Sequence, residues 1–143
     1  VVGFPYREEI RLFIDGYDNR IPLQYRYLSL YKILELHYRK RGQWDDVGLQ
    51  ALTGKYALQF ASIGITGKPI SYIHTVRDKC AHIKTGKSKE MFGVTQLNHK
   101  EAAEVSKILP IMSDICIDII NEQTNGEFVI GKRPEQGNAI NTV

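Results

Sequence analysis

The sequence predicts an all-α fold, an up-and-down bundle of four main helices with a loosely structured N-terminal segment and C-terminal tail. Four segments carry apolar residues at intervals of three and four, which places those residues on one face of a helix. Residues typical of helix ends flank these segments. With 143 residues, 43% of them hydrophobic and 24% charged, the chain has the composition of one globular domain. We expect the bundle to span residues 23–125, between an N-terminal arm or linker (1–22) and a tail (126–143).

The N-terminal segment carries two conflicting patterns. Ile10, Leu12 and Ile14 alternate as in a short strand, whereas Tyr6, Ile10 and Phe13 suit a turn of helix. The turn residues that follow predict a loop. Because the sequence has no initial Met, we expect a domain cut from a longer protein or trimmed to its ordered part, and this segment is either a linker to an upstream domain or an arm on the bundle.

The first helix is predicted from Leu23 to about Arg41. Pro22 stands just before its first turn and Gly42 just past its end, where these residues favour helix boundaries. Its core-facing stripe comprises Leu23, Tyr27, Leu30, Tyr31, Leu34 and Tyr38. A second, shorter helix is predicted from about Asp46 to Phe60, with Asp45 or Asp46 as its cap. Its inward face comprises Leu49, Leu52, Tyr56 and Phe60.

The third helix is predicted from about Ile70 to about Lys84, with Ile73, Val76 and Cys80 facing the core. The loop before it has two glycines but lacks the Gly-Lys-Ser/Thr ending of a phosphate-binding P-loop. The loop after it, Thr85–Glu90, is polar and basic.

The last long helix begins at Asn98, which forms a capping box with Glu101, and runs to about Gln123. Pro110 is expected to kink it. Its apolar face is wider than one core requires, which suggests burial against both the bundle and a partner; the extra positions are Ile108, Ile111, Ile115 and Ile117. Beyond it, residues 127–131 are expected to form a short strand or extended arm, and residues 132–143 to be disordered.

The third helix contains Arg77-Asp78-Lys79-Cys80-Ala81-His82, which joins a permanent cation and a titratable imidazole on one element. The planar guanidinium of Arg77 can donate two parallel hydrogen bonds to a phosphate. His82 suits proton transfer, because the ordinary pKa of a histidine is about 6.5. Residues five apart differ by about 140° in direction and about 7.5 Å in height on an ideal helix, so the two share no stripe. The alternative from spacing alone is a surface Arg and a helix-end His that never cooperate.

Three other polar residues have open roles. His74 shares part of the face of Arg77, either as a second polar group in a cleft or as a surface residue. Asp78 either orients an Arg or His or is an ordinary exposed acid. Glu35 lies at the edge of the first helix's stripe, where it either holds an Arg from another helix or is solvated.

The motif resembles the signature of the HEPN superfamily, an Arg, a polar residue, three variable residues and a His, with Asp78 in the polar position. Residues 22–35, an aromatic-rich run ending in Ile33-Leu34-Glu35, are similar to the helix that opens the Apea-like branch of that family. The two stretches cover roughly the middle half of the chain, in the family's order. The resemblance implies a helical bundle that dimerises, and often a metal-independent endoribonuclease with Arg and His at the dimer cleft. It also suggests a toxin or antiviral-defence effector, with an antitoxin or a fused upstream domain as a further partner.

The net charge of +3 permits nucleic-acid binding without arguing for it. Basic residues nevertheless gather around His82, and we take as candidate RNA contacts Lys79, Lys84, Lys87 and Lys89. Cations near a helix C-terminus are also favoured by the helix dipole, which is a purely structural explanation.

Several features of the chain argue against other classes of protein. No run approaches the roughly 18 apolar residues of a membrane span, and residues 1–5 lack the pattern of a signal peptide. Cys80 and Cys116 occupy apolar positions and are expected to be free buried thiols, as is usual for a cytoplasmic protein. No residues show zinc-ligand spacing, and we expect neither metal nor cofactor.

The first functional hypothesis is therefore a metal-independent endoribonuclease, with His82 as general base or acid, Arg77 stabilising the phosphoryl charge and Asp78 orienting one of them. The second is a non-catalytic dimerisation or RNA-binding module of the same bundle class within a larger protein. A third is a protein-interaction bundle that binds no nucleic acid.

Overall fold

Helices make up most of the chain that the structure, a computed structural model, describes, namely residues 7–85 and 97–123. These residues form helices α1 (Arg7–Tyr17), α2 (Leu23–Tyr38), α3 (Asp46–Gly54), α4 (Ala57–Ser62), α5 (Pro69–Thr85) and α6 (His99–Gln123), and an antiparallel pair of two-residue strands, β1 (Arg39–Lys40) and β2 (Gln43–Trp44). The predicted all-α helical bundle is confirmed. In the described part of the chain, no helix is both long enough and apolar enough to cross a membrane.

Helices α2 and α6 form the centre of the bundle. Helices α1, α2, α4 and α5 pack against α6, and α1, α3, α5 and α6 pack against α2. The isoleucines that suggested a partner surface are buried within this one chain: Ile108, Ile111, Ile115 and Ile117 are each at most 6% exposed. The breadth of the apolar face follows from packing against several helices of the same chain, so it gives no support to a dimer. The helix continues on both sides of Pro110.

The N-terminal segment differs from the loosely structured arm that we expected, because residues 7–17 form α1 and pack on α2. The helical pattern prevails over the strand pattern: Phe13 is buried, whereas Ile14 is 58% exposed. Two polar contacts hold α1 in place. Glu9 Oε2 lies 3.0 Å from His37 Nε2, and Arg26 Nε donates to the Gly16 carbonyl at 2.9 Å.

Helix α2 ends at Tyr38, three residues earlier than expected, because the chain then turns back as a hairpin. Arg41 and Gly42 have φ values of 55° and 78°, the left-handed pair that a tight two-residue hairpin turn requires. The hairpin register pairs Arg39 with Trp44. On the core side of α2, Tyr27, Leu30, Tyr31 and Leu34 are buried as predicted.

The segment predicted as one helix over residues 46–60 is divided into α3 and α4. The amides of Lys55 and Tyr56 donate to carbonyls three residues back, which tightens the chain between the two helices. Asp45 caps α3 through a bond from the Gly48 amide. The inward residues are buried as predicted: Leu49, Leu52, Tyr56 and Phe60.

The two remaining helices agree with expectation. On α5, Ile73, Val76 and Cys80 are buried. At the start of α6, Asn98 and Glu101 form the predicted capping box, with bonds of 2.8 and 3.2 Å. Both cysteines are buried and free. The predicted loop after Thr85 and the predicted C-terminal tail lie outside the described residues.

The contact between α1 and α2 depends on Gly16. A Cβ at this position would lie 2.5 Å from Leu30 Cδ2 and 3.3 Å from the Arg26 carbonyl. Leu30 is 0% exposed, so its side chain can shift only by displacing other residues of the packed core. We therefore expect Gly16→Ala to lower the free energy of unfolding by about 1–3 kcal/mol, measured by urea denaturation. Gly54→Ala is the matched control, since a Cβ there meets nothing within 4 Å. Equal stability of the two variants would contradict the close approach.

Candidate functional site

Arg77 and, three residues before it, His74 lie where α5 faces α2 and the hairpin. Ile73 and Val76 point into the core and set the rotation of α5. His74 and Arg77 follow these residues at the edge of the buried face, and both lie beside Tyr31 of α2. The candidate site is therefore built on two packed helices rather than on loops.

Arg77 is held at the surface by two contacts. Its Cζ lies 5.8 Å from the centroid of the Tyr31 ring, and its Nη1 donates to Asp78 Oδ1 at 3.2 Å. The side chain is nevertheless 41% exposed, and that of Asp78 is 60% exposed. A guanidinium has five N–H donors, so most of those on Arg77 remain free to bind a phosphate. Arg77 and its sequence neighbour Asp78 thus form an exposed ion pair.

Three aromatic rings lie beside Arg77, and we call them the aromatic cluster: Tyr31, Trp44 and His74. The Tyr31 hydroxyl lies 2.7 Å from His74 Nδ1. The Trp44 ring meets His74 and Tyr31 edge to face, with centroids 4.8 and 5.7 Å away. On its other side, Trp44 has the guanidinium of Arg39 5.9 Å from its ring centroid. Arg39 and Arg77 therefore flank the cluster with two positive charges.

The electrostatics of the aromatic cluster determine where its protons lie. Burial raises the pKa of Tyr31 to about 12, and the nearby Glu35 carboxylate adds to this effect. Burial lowers the pKa of His74, although Asp46 and Asp78 favour its charged form. At neutral pH the phenol therefore keeps its proton and the imidazole is uncharged, and the Tyr31 hydroxyl and His74 Nδ1 share one hydrogen bond.

Glu35 is engaged within its own stretch of chain. Its carboxylate pairs with Arg39 Nη1 at 3.0 Å and lies 3.9 Å from Lys32 Nζ. The arginine that it holds thus comes from β1, one helical turn further along, and not from another helix. By fixing Arg39, Glu35 helps to hold that guanidinium against Trp44.

The candidate lysines are separated from one another. Lys79 Nζ pairs with Glu104 of α6 at 2.9 Å, and this hydrogen bond raises its pKa. Lys79 therefore ties α5 to α6, away from Arg77. Lys84 belongs to α5 by its backbone, but its side chain lies outside the described residues, as do Lys87 and Lys89 entirely.

His82 stands one helical turn beyond Asp78 on the backbone of α5. Its side chain lies outside the described residues. The structure therefore confirms that one continuous helix carries the whole motif, while the convergence of Arg77 and His82 stays a prediction.

Trp44 and Arg39 are site residues that the sequence analysis missed. The helical pattern predicts that Lys40 and Arg41 end a helix and that Gly42 lies just past it, although an Arg-Gly pair between polar residues is compatible with a two-residue hairpin turn. Recognising that turn would have brought Trp44 back beside Arg39. No family model, curated protein or solved structure matches this chain.

The protonation of His74 gives a testable prediction. Removing the Trp44 ring rehydrates the imidazole, so in Trp44→Ala the pKa of His74 is expected to rise toward its ordinary value of about 6.5. Titration of the imidazole by NMR measures this change. Leu58→Ala, at a position 85% exposed on α4, is the control and should leave the pKa of His74 unaltered.

Because burial lowers the pKa of His74 in the folded chain, the free energy of unfolding depends on pH. The unfolded chain binds a proton at His74 near pH 6.5, whereas the folded chain binds it only at lower pH. Stability from this residue is therefore complete above about pH 6.5 and falls as the pH decreases through that value. A His74 pKa at or above 6.5 in the wild type would contradict both expectations.

Proposed function

We propose that this protein is a metal-independent endoribonuclease of the HEPN type, in which Arg77 and His82 act on an RNA phosphodiester. One observation carries the proposal: the Arg77 guanidinium is anchored by Tyr31 and Asp78 yet remains 41% exposed, on the same helix as His82. A preorganised, partly exposed arginine is suited to bind negative charge that develops on a phosphoryl group.

The chemistry requires RNA, because the ribose 2′-hydroxyl is the nucleophile. His82 takes the proton of that hydroxyl as the oxygen attacks phosphorus, or donates a proton to the departing 5′-oxygen. The bond between phosphorus and the 5′-oxygen breaks, leaving a 2′,3′-cyclic phosphate and a free 5′-hydroxyl. Arg77 stabilises the charge on the non-bridging oxygens, and Asp78 orients Arg77 through their mutual hydrogen bond.

A second copy of the chain completes the site in this proposal. On an ideal helix, residues five apart point about 140° apart, which is awkward for joint contact with one phosphate. Two motifs facing each other across a two-fold axis would supply a base from one copy and an acid from the other. The homodimer is thus part of the proposal and rests on this geometry, not on the apolar face of α6.

Further basic residues are proposed to contact the RNA beside Arg77. Arg39 extends the positive surface beside Arg77, and we retain Lys84, Lys87 and Lys89 as proposed RNA contacts. Lys79 is a weaker candidate because Glu104 neutralises it. The proposed setting is a cytoplasmic toxin or antiviral-defence effector, controlled by an antitoxin or by a fused upstream domain.

The second candidate is a non-catalytic dimerisation or RNA-binding module within a larger protein. It is favoured by the packing of Arg77 over Tyr31 and by its bond to Asp78, contacts that would also suit a purely structural arginine. Such a module would bind RNA without cleaving it.

Cleavage of RNA in the presence of EDTA tests the nuclease. His82→Ala is expected to lower the rate by about 10²–10⁴-fold, the usual contribution of a general acid or base. His99→Ala, at an exposed position at the start of α6, should cleave as the wild type does. Undiminished cleavage by His82→Ala would refute the assignment. RNA binding without cleavage by the wild type would favour the module.

Binding tests the role of Arg77 separately from chemistry. RNA methylated at every 2′-oxygen cannot be cleaved by this mechanism, so its affinity can be measured at several salt concentrations. Arg77→Gln should weaken binding and reduce the slope of log affinity against log salt by about 0.7, the value for one phosphate contact to a single strand. Arg11→Gln, an exposed position on α1, is the charge-matched control. Identical behaviour of the two variants would remove Arg77 from the phosphate site.

A further inference from the structure

A cavity of about 460 Å³ with both polar and apolar lining lies between α3 and the N-terminal end of α5, and we call it the α3–α5 cavity. Its lining includes Asp46, Gln50, Thr53, Lys68, Ser71 and His74. Pockets that bind small organic molecules have volumes of about 300–1,000 Å³, so the cavity has a suitable size. Its place in the fold is notable because His74 belongs both to its wall and to the aromatic cluster.

The lining presents donors and acceptors to a ligand. Thr53 is 1% exposed and donates to the Gln50 carbonyl, so it belongs to the frame of the cavity. In the part of the chain that the structure describes, the side chains of Asp46, Gln50 and Lys68 have no hydrogen bond or ion pair. Gln50 can donate and accept, Lys68 can only donate, and the Asp46 carboxylate can only accept. His74 adds its Nε2, the ring nitrogen that the contact with Tyr31 leaves free.

The cavity adjoins the phosphate site. His74 and Arg77 are three residues apart on α5, and each packs 5.8 Å from the centroid of the same Tyr31 ring. A nucleotide whose phosphate contacts Arg77 can therefore extend along α5 toward the cavity. Only an unpaired base can leave its strand and be read on its polar edge in this way.

We propose that the α3–α5 cavity binds an unpaired nucleobase of the nucleotide whose phosphate contacts Arg77. The proposal rests on the proposed function for that phosphate, and it narrows the substrate to single-stranded RNA. It also gives a base preference. Asp46 accepts hydrogen bonds and lies close enough to His74 to favour its charged form. A carboxylate accepts from an exocyclic amine, as in its pairing with the cytosine amino group, whereas uracil has an acceptor oxygen at that position and should bind more weakly than cytosine.

The test compares 3′-CMP with 3′-UMP, whose bases differ at positions 3 and 4: cytosine has an acceptor N3 and a 4-amine, and uracil has an N3–H donor and a 4-oxygen. Binding to the whole chain is followed by NMR through the backbone amides. We expect 3′-CMP to shift the amides of Gln50, Ser71 and His74. We also expect it to bind about fivefold more tightly than 3′-UMP, the factor of one net hydrogen bond.

Substitution of Asp46 tests whether its carboxylate causes the preference for 3′-CMP over 3′-UMP. Asp46→Asn should bring the two affinities together, because an amide can pair with either base. Asp15→Asn, the same charge change on α1, should keep the preference. Equal affinities for the two nucleotides in the wild type, or shifts confined to residues outside the cavity, would overturn the proposal.

Failure of this proposal is distinguishable from failure of the nuclease. If the chain binds 3′-CMP in the cavity but cleaves no RNA, the base-site proposal stands and the nuclease proposal is refuted. If the wild type and Asp46→Asn cleave RNA with the same base preference, the nuclease proposal stands and the base-site proposal is refuted.

Discussion

The site depends on the docking of α5 against α2, which a buried hydrogen bond holds in register. Tyr27 is 0% exposed, and its hydroxyl donates to the Ile73 carbonyl at 2.7 Å. A buried polar group left without its partner costs about 1–3 kcal/mol, so α5 cannot slide or rotate here without penalty. Tyr31 lies one helical turn further along α2, so the same docking of α5 places His74 and Arg77 against it. The position of the arginine is thus set by the core rather than by the surface.

The same packing explains why a very apolar helix needs no partner. Helix α6 lies among four others and buries its isoleucines within one chain. A proposed dimer must therefore use a different surface, and the motif face of α5 is the surface that the chemistry selects. The buried isoleucines of α6 therefore stabilise the fold of one chain, whereas the proposed active site would form at another surface.

Much of the fold follows from local signals in the sequence, whereas much of the site does not. The 3.6-residue period correctly placed Ile73 and Val76 in the core, and the Asn98–Glu101 box marked the start of α6, because both depend on neighbours within one helix. The partner of Lys79 lies 25 residues away on α6, and only tertiary packing brings Glu104 to it. Trp44 reaches His74 because a non-glycine residue, Arg41, adopts a left-handed conformation, for which arginine carries little preference.

Trp44 is the one tryptophan of the sequence, and its ring lies 4.8 Å from that of His74. The tryptophan fluorescence of the protein therefore originates at the wall of the candidate site. A protonated imidazole quenches a neighbouring indole by accepting an electron from its excited state, which a neutral imidazole does far less. The emission of the native chain is thus an internal optical reporter of the charge on His74, and it needs no attached dye.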